Sequence, residues 1–204
     1  MSHYFDEQPG VSSDRTVVDV ALRDVAFTFE TDRGVFSHGH LDTGTTLLLH
    51  EAPPPSPEGP LLDLGCGAGP IALALAARSP SATVWAVDVN ERARALTQSN
   101  ARRNDLENVR AVAPEEVPAD VRFATIWSNP PIRIGKAALH ELLLHWLSRL
   151  QPSGEAILVV QKHLGADSLQ RWLSTQGFPT ERLASRAGFR LLRSVRADAT
   201  PTDQ

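Results

Sequence analysis

Nine residues indicate the kind of fold that this chain adopts: Leu61-Leu62-Asp63-Leu64-Gly65-Cys66-Gly67-Ala68-Gly69. The apolar start predicts a buried strand, and it breaks directly into an Asp-x-Gly-x-Gly-x-Gly turn. Glycines let the backbone turn sharply and approach a ligand with no Cβ in the way. A helix after such a turn presents free N–H groups that suit a carboxylate. The stretch therefore predicts a strand, a nucleotide-sized cradle and a helix.

Apolar strands alternate with amphipathic helices after this turn. The predicted strands are Leu61–Leu64, Thr83–Val87, Val109–Ala113, Phe123–Trp127 and Ala156–Val160, and the predicted helices cover about 69–78, 90–103, 137–150 and 166–176. This alternation implies a parallel sheet covered on both faces. The tail, Phe178–Ala184 and Phe189–Arg196, predicts an antiparallel pair. We expect an α/β fold with a seven-stranded, mostly parallel sheet that ends in an antiparallel C-terminal hairpin.

The residues before the cradle predict a small N-terminal β extension. Thr16–Val20 and Ala26–Glu30 have the character of short strands, and a glycine-punctuated loop and a short helix from Thr45 to His50 follow. Residues 52–60 contain five prolines, a density that neither a helix nor a central strand tolerates. We therefore divide the chain into an extension with a lid (1–50), a Pro-rich spacer (51–60) and a core (61–204).

Composition excludes several classes of protein. Contents of 42% hydrophobic and 22% charged residues are ordinary for a globular domain, and no apolar run approaches the ~18 residues that cross a bilayer. The N-terminus lacks the basic and apolar regions of a signal peptide, and the single cysteine, Cys66, agrees with a reducing compartment. We expect a cytoplasmic protein that does not bind a membrane. No Cys/His cluster has metal-ligand spacing, so we expect no metal.

The net charge of −4 argues against a general attraction to nucleic acid, but the C-terminal region is locally basic. Five arginines lie between Glu181 and Asp198 with no acid among them: Arg182, Arg186, Arg190, Arg193 and Arg196. They form either the solvated face of a terminal hairpin or an RNA-binding face. The sequence favours neither.

A second motif, Asn129-Pro130-Pro131, follows the predicted strand that ends near Trp127. Proline disfavours helix in the residue before it, and Pro130 has no N–H, so the corner is rigid. The Asn129 side-chain oxygen and the Pro130 carbonyl can then accept the two hydrogens of a planar amine. Orientation of this sort contributes roughly 7–11 kcal/mol in well-ordered systems. The alternative is a plain turn at the end of a strand.

Asp88 and Pro70 decide which nucleotide the cradle suits. Asp88 ends the second predicted strand, where an acid can accept hydrogen bonds from both ribose hydroxyls, but dinucleotide-binding folds place an acid similarly. The dinucleotide fingerprint requires glycine where this chain has Pro70, and proline is tolerated in the first turn of a helix. A nicotinamide oxidoreductase is therefore disfavoured. Asp63 can accept a hydrogen bond from a ligand's ammonium group.

Together these motifs resemble the class I S-adenosyl-L-methionine (SAM) methyltransferases, in particular the methyltransferase-small-domain family of bacterial small-subunit ribosomal RNA guanine methyltransferases and its compact single-domain branch. The resemblance implies a Rossmann-like fold and SAM as cofactor. It implies that Asp63, Gly65, Gly67 and Asp88 bind SAM, that Phe36 lines the lid over it, and that Asn129 and Pro130 hold the target amine as the catalytic residues. Adenine contacts are expected near Ala113–Glu116.

The substrate side of the expected site consists of Pro131, Ile132, Lys136 and Lys162. Both lysines follow predicted strand ends, where they can meet phosphate. Members of the family that methylate bases carry Phe or Tyr at the position of Ile132, and stacking is worth roughly 1–3 kcal/mol per base. Either another aromatic, with Phe36 as the candidate, covers the base or the substrate differs. Larger members also carry an N-terminal recognition domain, for which 204 residues leave no room.

We expect methyl transfer to the exocyclic amine of a guanine, with ribosomal RNA or the small ribosomal subunit as partner. Two alternatives stay open. One is a methyltransferase acting on protein glutamine or a small-molecule amine. The other is a non-catalytic RNA-binding module of ribosome assembly.

Overall fold

A computed structural model describes residues 14–35 and 39–197, apart from the side chain of Arg133. Its elements in chain order are β1 (Thr16–Ala21), β2 (Ala26–Thr31), α1 (Thr43–Glu51), β3 (Leu61–Leu64), α2 (Pro70–Arg78), β4 (Val84–Val87), α3 (Glu91–Arg103), β5 (Val109–Val112), β6 (Phe123–Ser128), α4 (Lys136–Leu147), β7 (Leu150–Gln161), α5 (Ala166–Thr175), β8 (Thr180–Arg186) and β9 (Phe189–Val195). Short 3-10 turns lie at Pro114–Glu116, Ile132–Ile134 and Lys162–Leu164. Within the described ranges, no helix has both the length and the apolar character needed to span a membrane.

The main sheet has seven strands in the order β5-β4-β3-β6-β7-β9-β8. The strands from β5 to β7 are parallel, β9 runs antiparallel to β7, and β8 runs antiparallel to β9. The predicted sheet and its C-terminal hairpin are thus confirmed. Because β3 lies between β4 and β6, the turns that follow these three strands meet at one edge, where open α/β sheets bind ligands.

The junction between α4 and β7 differs from the prediction. The helical spacing of Leu150 predicts that it ends the helix, but its backbone pairs with Phe123 and it is the first residue of β7. The start of this strand is irregular, with a shift of register between Phe123 and Thr125. A Cβ at Gly154 would lie 2.9 Å from the Phe123 carbonyl oxygen. Glycine is therefore required there for the two strands to approach.

The N-terminal hairpin of β1 and β2 forms the predicted separate sheet and is fixed to α3. The Asn104 side chain bonds the backbone N–H and carbonyl of Thr28, at 3.0 and 2.7 Å. The Asn100 side chain does the same for Glu30, at 2.8 and 2.9 Å. On the inner face, Phe29 packs into the apolar core that covers one side of the main sheet. The extension is thereby anchored to the C-terminal end of α3.

The predicted Pro-rich spacer, residues 51–60, contains neither helix nor strand from residue 52 onward, whereas Glu51 is the last residue of α1. It is nonetheless bonded to the core at its centre. The Ser56 N–H donates to Thr125 Oγ1 at 3.1 Å, and Ser79 Oγ donates to the Ser56 carbonyl at 2.8 Å. These bonds set the path by which the chain passes from α1 to β3.

Candidate functional site

A pocket of ≈ 640 Å³ opens at the carboxyl ends of β3, β4 and β6. This volume lies within the range of roughly 300–1,000 Å³ that is typical of small-molecule sites. Most of the residues predicted for the site line it: Gly65, Gly67, Asp88, Asn129, Pro130, Pro131 and Ile132. Asp63, Lys136 and Lys162 are not among the lining residues, and Phe36 falls outside the described residues. The predicted cofactor cradle and the Asn-Pro-Pro corner therefore share one cavity.

The glycines of the cradle adopt conformations that other residues rarely adopt. Gly67 and Gly69 have φ angles of 56° and 91°, in the left-handed region. A Cβ at Gly69 would lie 2.8 Å from the Thr97 side chain, so α3 also excludes a larger residue there. Thr97 Oγ1 in turn donates to the Gly67 carbonyl at 3.0 Å. Pro70 begins α2, as predicted, and the loop is held between two helices.

Asp88 follows β4 and faces the cradle. The Gly67 N–H donates to its Oδ2 at 3.0 Å, and the Asn90 N–H donates to its Oδ1 at 2.9 Å. Burial raises the pKa of Asp88 from its ordinary value of 3.8, and these two N–H groups and Arg94 oppose that rise. Each carboxylate oxygen can accept a further hydrogen bond. Asp88 therefore fits as the acceptor for a ribose, and Pro114, from the region expected to contact adenine, lines the pocket.

Asp63 lies behind the cradle rather than on the pocket wall. Its side chain is fully buried, and Oδ2 accepts a hydrogen bond from the Ala72 N–H at 2.9 Å. Oδ1 has no partner among the described residues. Burial raises the pKa of Asp63 well above 3.8, the Ala72 N–H opposes that rise, and the nearby Asp88 charge adds to it. Asp63 thus joins β3 to the first turn of α2, and its contact with a ligand's ammonium group stays a prediction.

The Asn-Pro-Pro corner is an inverse γ-turn centred on Pro131. Pro131 has φ −73° and ψ 74°, and the Ile132 N–H donates to the Pro130 carbonyl at 2.8 Å. This bond fixes the direction of the Pro130 carbonyl and uses one of its two lone pairs. The other lone pair can accept from a ligand. The rigidity predicted from two successive prolines is therefore reinforced by a backbone hydrogen bond.

Two residues at the N-terminal end of α1 fix the orientation of the Asn129 amide. Asn129 Nδ2 donates to Asp42 Oδ2 at 2.7 Å and to Thr45 Oγ1 at 3.1 Å. An ionised carboxylate only accepts hydrogen bonds, so the amide nitrogen must face Asp42. Both N–H groups are then occupied, and Oδ1 accepts no hydrogen bond from the described residues. The acceptor that the sequence predicted for an amine is thus left available in the pocket.

Asp42 also caps α1, because its Oδ2 accepts from the Thr45 N–H at 2.9 Å. Sequence reasoning missed its contact with Asn129. An acid directly before a short helix is a recognisable helix-start signal. Its second partner lies 87 residues further along the chain, and no local pattern reveals that pairing.

The pocket is also lined by Ile132, Gln161, Leu164 and Phe189. Phe189 is the first residue of β9 and was predicted only as part of a strand. Lys136 begins α4 and Lys162 directly follows Gln161, and both are exposed. Neither lysine lines the pocket, and their contact with phosphate stays a prediction.

The C-terminal arginines are mostly bonded within the protein. Arg190 pairs with Asp167, Arg193 with Glu155 and Glu181, Arg186 with Glu51, and Arg196 donates to the Leu150 carbonyl. Only Arg182 has no ion pair or side-chain hydrogen bond with another described residue. Of the two interpretations of this basic segment, the structure favours a role within the hairpin. The described residues also contain no group of three or more His, Cys, Asp or Glu side chains that could hold a metal.

Comparison with known proteins agrees with this geometry. The model of the family described as Methyltransferase small domain matches residues 26–193. The uncharacterized protein YbxB of Bacillus subtilis is 41% identical over 169 residues, which cover 81% of this chain and 84% of that protein. The ribosomal RNA small subunit methyltransferase C of Ectopseudomonas mendocina is 38% identical over 170 residues, covering 80% of this chain and 49% of that protein. The chain thus spans about half the length of such rRNA methyltransferases.

Solved structures show the same fold. The T. thermophilus 16S rRNA N2 methyltransferase RsmC, in complex with AdoMet and guanosine, matches with a TM-score of 0.75 at 24% identity, over 92% of this chain and 52% of that one. A precorrin-6y C5,15-methyltransferase from Geobacter metallireducens matches with a TM-score of 0.61 at 14% identity, over 83% of this chain and 94% of that one. The expected Rossmann-like methyltransferase fold is therefore confirmed.

Proposed function

This chain belongs to the methyltransferase small domain family, and from that membership we propose that it methylates the exocyclic amine of a guanine in ribosomal RNA. It is a SAM-dependent methyltransferase. The guanine and the RNA rest on relatives named ribosomal RNA small subunit methyltransferase C and on the guanosine held by the similar T. thermophilus enzyme. The observation that carries the proposal is the Asn129 amide, whose nitrogen is bonded to Asp42 and whose oxygen is left for a ligand.

The cradle half of the pocket would hold SAM. Bound there, SAM supplies an electrophilic methyl group carried on a positively charged sulfur. Gly65 and Gly67 let the backbone lie close to the ligand, and Asp88 accepts hydrogen bonds from the ribose. Asp63 keeps the cradle in place through its bond to the Ala72 N–H.

The corner half would hold the amine between two fixed acceptors. Asn129 Oδ1 accepts a hydrogen bond from one N–H of the amine, and the free lone pair of the Pro130 carbonyl oxygen accepts a hydrogen bond from the other N–H. The nitrogen would gain positive charge as its bond to the methyl carbon forms and the methyl–sulfur bond of SAM breaks, with the electron pair of that bond leaving on the sulfur. The two oxygens stabilise the charge on the nitrogen without having to reorient. The extra proton leaves to solvent after transfer, so no side chain has to remove it beforehand. Catalysis then comes mainly from orientation.

The mouth of the pocket would hold the rest of the RNA. Pro131 and Ile132 line the substrate side. Lys136 and Lys162 are exposed and lie close in sequence to residues that line the pocket, and their ammonium groups would suit the phosphates that flank a target base. Extruding a base from a duplex costs a few kcal/mol, so RNA that already exposes its base is the easier substrate.

The test is transfer of a tritiated methyl group from SAM to assembled small ribosomal subunits, naked ribosomal RNA and total protein in parallel. We expect label on a guanine of the RNA. Asn129→Ala should abolish transfer while its SAM affinity by calorimetry stays within a few-fold of wild type. Asn108→Ala is the matched control, since it removes the same side chain at a position whose partners, the carbonyls of Ala76, Ser79 and Ala82, lie outside the pocket, and it should retain transfer.

Two results would contradict the proposal in different ways. Label found only in protein would support the glutamine methyltransferase alternative, since Asn129 and Pro130 can grip any planar amide nitrogen. The binding of the amine by Asn129 Oδ1 and the Pro130 carbonyl is called the amine grip below. Near wild-type transfer by Asn129→Ala would refute the amine grip, whichever substrate is labelled.

A further inference from the structure

The position after Asn-Pro-Pro is Ile132, so the base of the proposed substrate lacks an aromatic partner there. Three Phe, Tyr or Trp residues among the described ones line the pocket: Phe29, Trp146 and Phe189. Phe29 and Trp146 are 2% and 1% exposed, so their rings are enclosed by the core. Phe189 is half-buried at the pocket wall. We propose that Phe189 stacks on the target base and replaces the missing aromatic, an inference that rests on the proposed function.

The ring of Phe189 lies beside the groups that orient Asn129. A Cβ at Gly44 would be 2.8 Å from Phe189 Cε1 and 3.0 Å from Asp42 Oδ2, so the ring and the carboxylate approach the same point. That carboxylate oxygen is the one that holds Asn129 Nδ2 at 2.7 Å. A base whose amine is bound by Asn129 therefore has its ring system near Phe189.

The close approach of the ring explains a residue that helix propensity disfavours. Gly44 lies in the first turn of α1, and glycine is among the poorest helix formers. Any side chain at Gly44 would displace either the Phe189 ring or the Asp42 carboxylate. The glycine thus lets an aromatic ring and the amine grip occupy the same side of the pocket.

The backbone fixes the ring in this position. Phe189 pairs with Gln161 across β7 and β9, and Gln161 also lines the pocket. The preceding Gly188 accepts a hydrogen bond from the Lys162 N–H at 2.8 Å. Phe189 is thus held at a strand end, where Ile132 and Leu164 add aliphatic surface to the same cavity. This combination provides one aromatic and several aliphatic contacts for a planar base.

The test compares Phe189→Leu with Phe189→Tyr and Phe189→Trp, using ribosomal RNA as substrate. Phe189→Leu should lower kcat/KM for RNA by roughly 5- to 150-fold, the range for loss of one base–aromatic stack. The two aromatic variants should stay within a few-fold of wild type. SAM affinity by calorimetry should be unchanged in all three.

Phe178→Leu is the matched control, because it makes the same aromatic-to-aliphatic change at a buried position that does not line the pocket. It should retain its kcat/KM for RNA. Phe189→Met is assayed as well, since its flexible side chain fills the space of the ring if Leu impairs folding. Thermal melting of every variant separates loss of folding from loss of stacking.

The stacking inference is overturned if Phe189→Leu and Phe189→Met methylate RNA like wild type while Asn129→Ala is inactive; the proposed function then stands. It is also overturned if Phe189→Leu loses SAM affinity by the same factor as activity, since the ring then serves the cofactor. Failure of the wild-type enzyme to label any RNA base would instead remove the proposed function, and the stacking role with it.

Discussion

Substitution of Asp42 separates two roles of one carboxylate. Its Oδ2 caps α1 through the Thr45 N–H at 2.9 Å and orients Asn129 through Nδ2 at 2.7 Å. Asp42→Ala removes both bonds. Asp42→Ser keeps a capping oxygen, but the shorter side chain cannot also reach Asn129. The two variants should therefore differ in stability and agree in activity.

The two hydrogen bonds determine the expected loss of stability and the expected loss of activity. Loss of the cap should lower the free energy of unfolding of Asp42→Ala by about 0.5–2 kcal/mol, while serine caps nearly as well as aspartate. A hydrogen bond to a charged group is worth about 1.5–3 kcal/mol. If that energy holds the Asn129 amide in its reactive orientation, kcat/KM should fall by roughly 10- to 150-fold in both variants.

Urea unfolding measures the first quantity, and transfer of tritiated methyl groups to ribosomal RNA measures the second. SAM affinity should not change, because Asp42 acts on the amine side of the pocket. Thr45→Val serves as a graded control, since it removes only the longer bond to Asn129, of 3.1 Å, and should cost less activity. A stable Asp42→Ser protein that transfers methyl groups at the wild-type rate would show that Asp42 does not orient Asn129, and the argument for the amine grip would fail.

Two further predictions concern the buried acids of the cradle. Burial raises the pKa of Asp63 well above 3.8, so the folded state holds this proton more tightly than the unfolded state. Stability contributed by Asp63 is therefore present below about pH 3.8 and lost as pH rises through the raised pKa. The free energy of unfolding of Asp63→Asn, measured in urea at several pH values, should not show this decrease. For Asp88, SAM binding needs the ionised form, so affinity by calorimetry should fall on acidification at a pH above 3.8. Asp88→Asn should bind weakly at every pH, and equal affinities for the two proteins would exclude the ribose contact.

The parts of the fold that were predicted correctly depend on local pattern. Apolar strands such as Leu61–Leu64 and helices with one apolar face, such as α4, are visible in the order of residues alone. The Asp-x-Gly-x-Gly-x-Gly turn predicts the cradle because its positive φ angles favour glycine over other residues. The same holds for Asn129-Pro130-Pro131, where two prolines leave the backbone little freedom.

The parts that were missed depend on partners distant in sequence. Leu150 has helical spacing but pairs as a strand, because the β6 edge offers backbone hydrogen bonds that outweigh the pattern. No acid lies between the first and the last of the C-terminal arginines, yet Arg186, Arg190 and Arg193 pair in space with Glu51, Asp167 and Glu155. Asp42 and Phe189 join the pocket through contacts that span much of the chain. Such contacts follow from the assembled sheet and not from spacing.

Asn100 and Asn104 affect the tendency of the protein to associate with itself. The edge of β2 that faces α3 would otherwise present unpaired N–H and carbonyl groups, which template pairing with a strand of another molecule. Each asparagine amide occupies the N–H and the carbonyl of one β2 residue, as a neighbouring strand would. Asn100 and Asn104, one helical turn apart, each supply one donor and one acceptor, and together they cover the edge of the two-stranded sheet. Loss of both asparagines would leave a strand able to recruit a second copy, so aggregation at high concentration should be the first symptom.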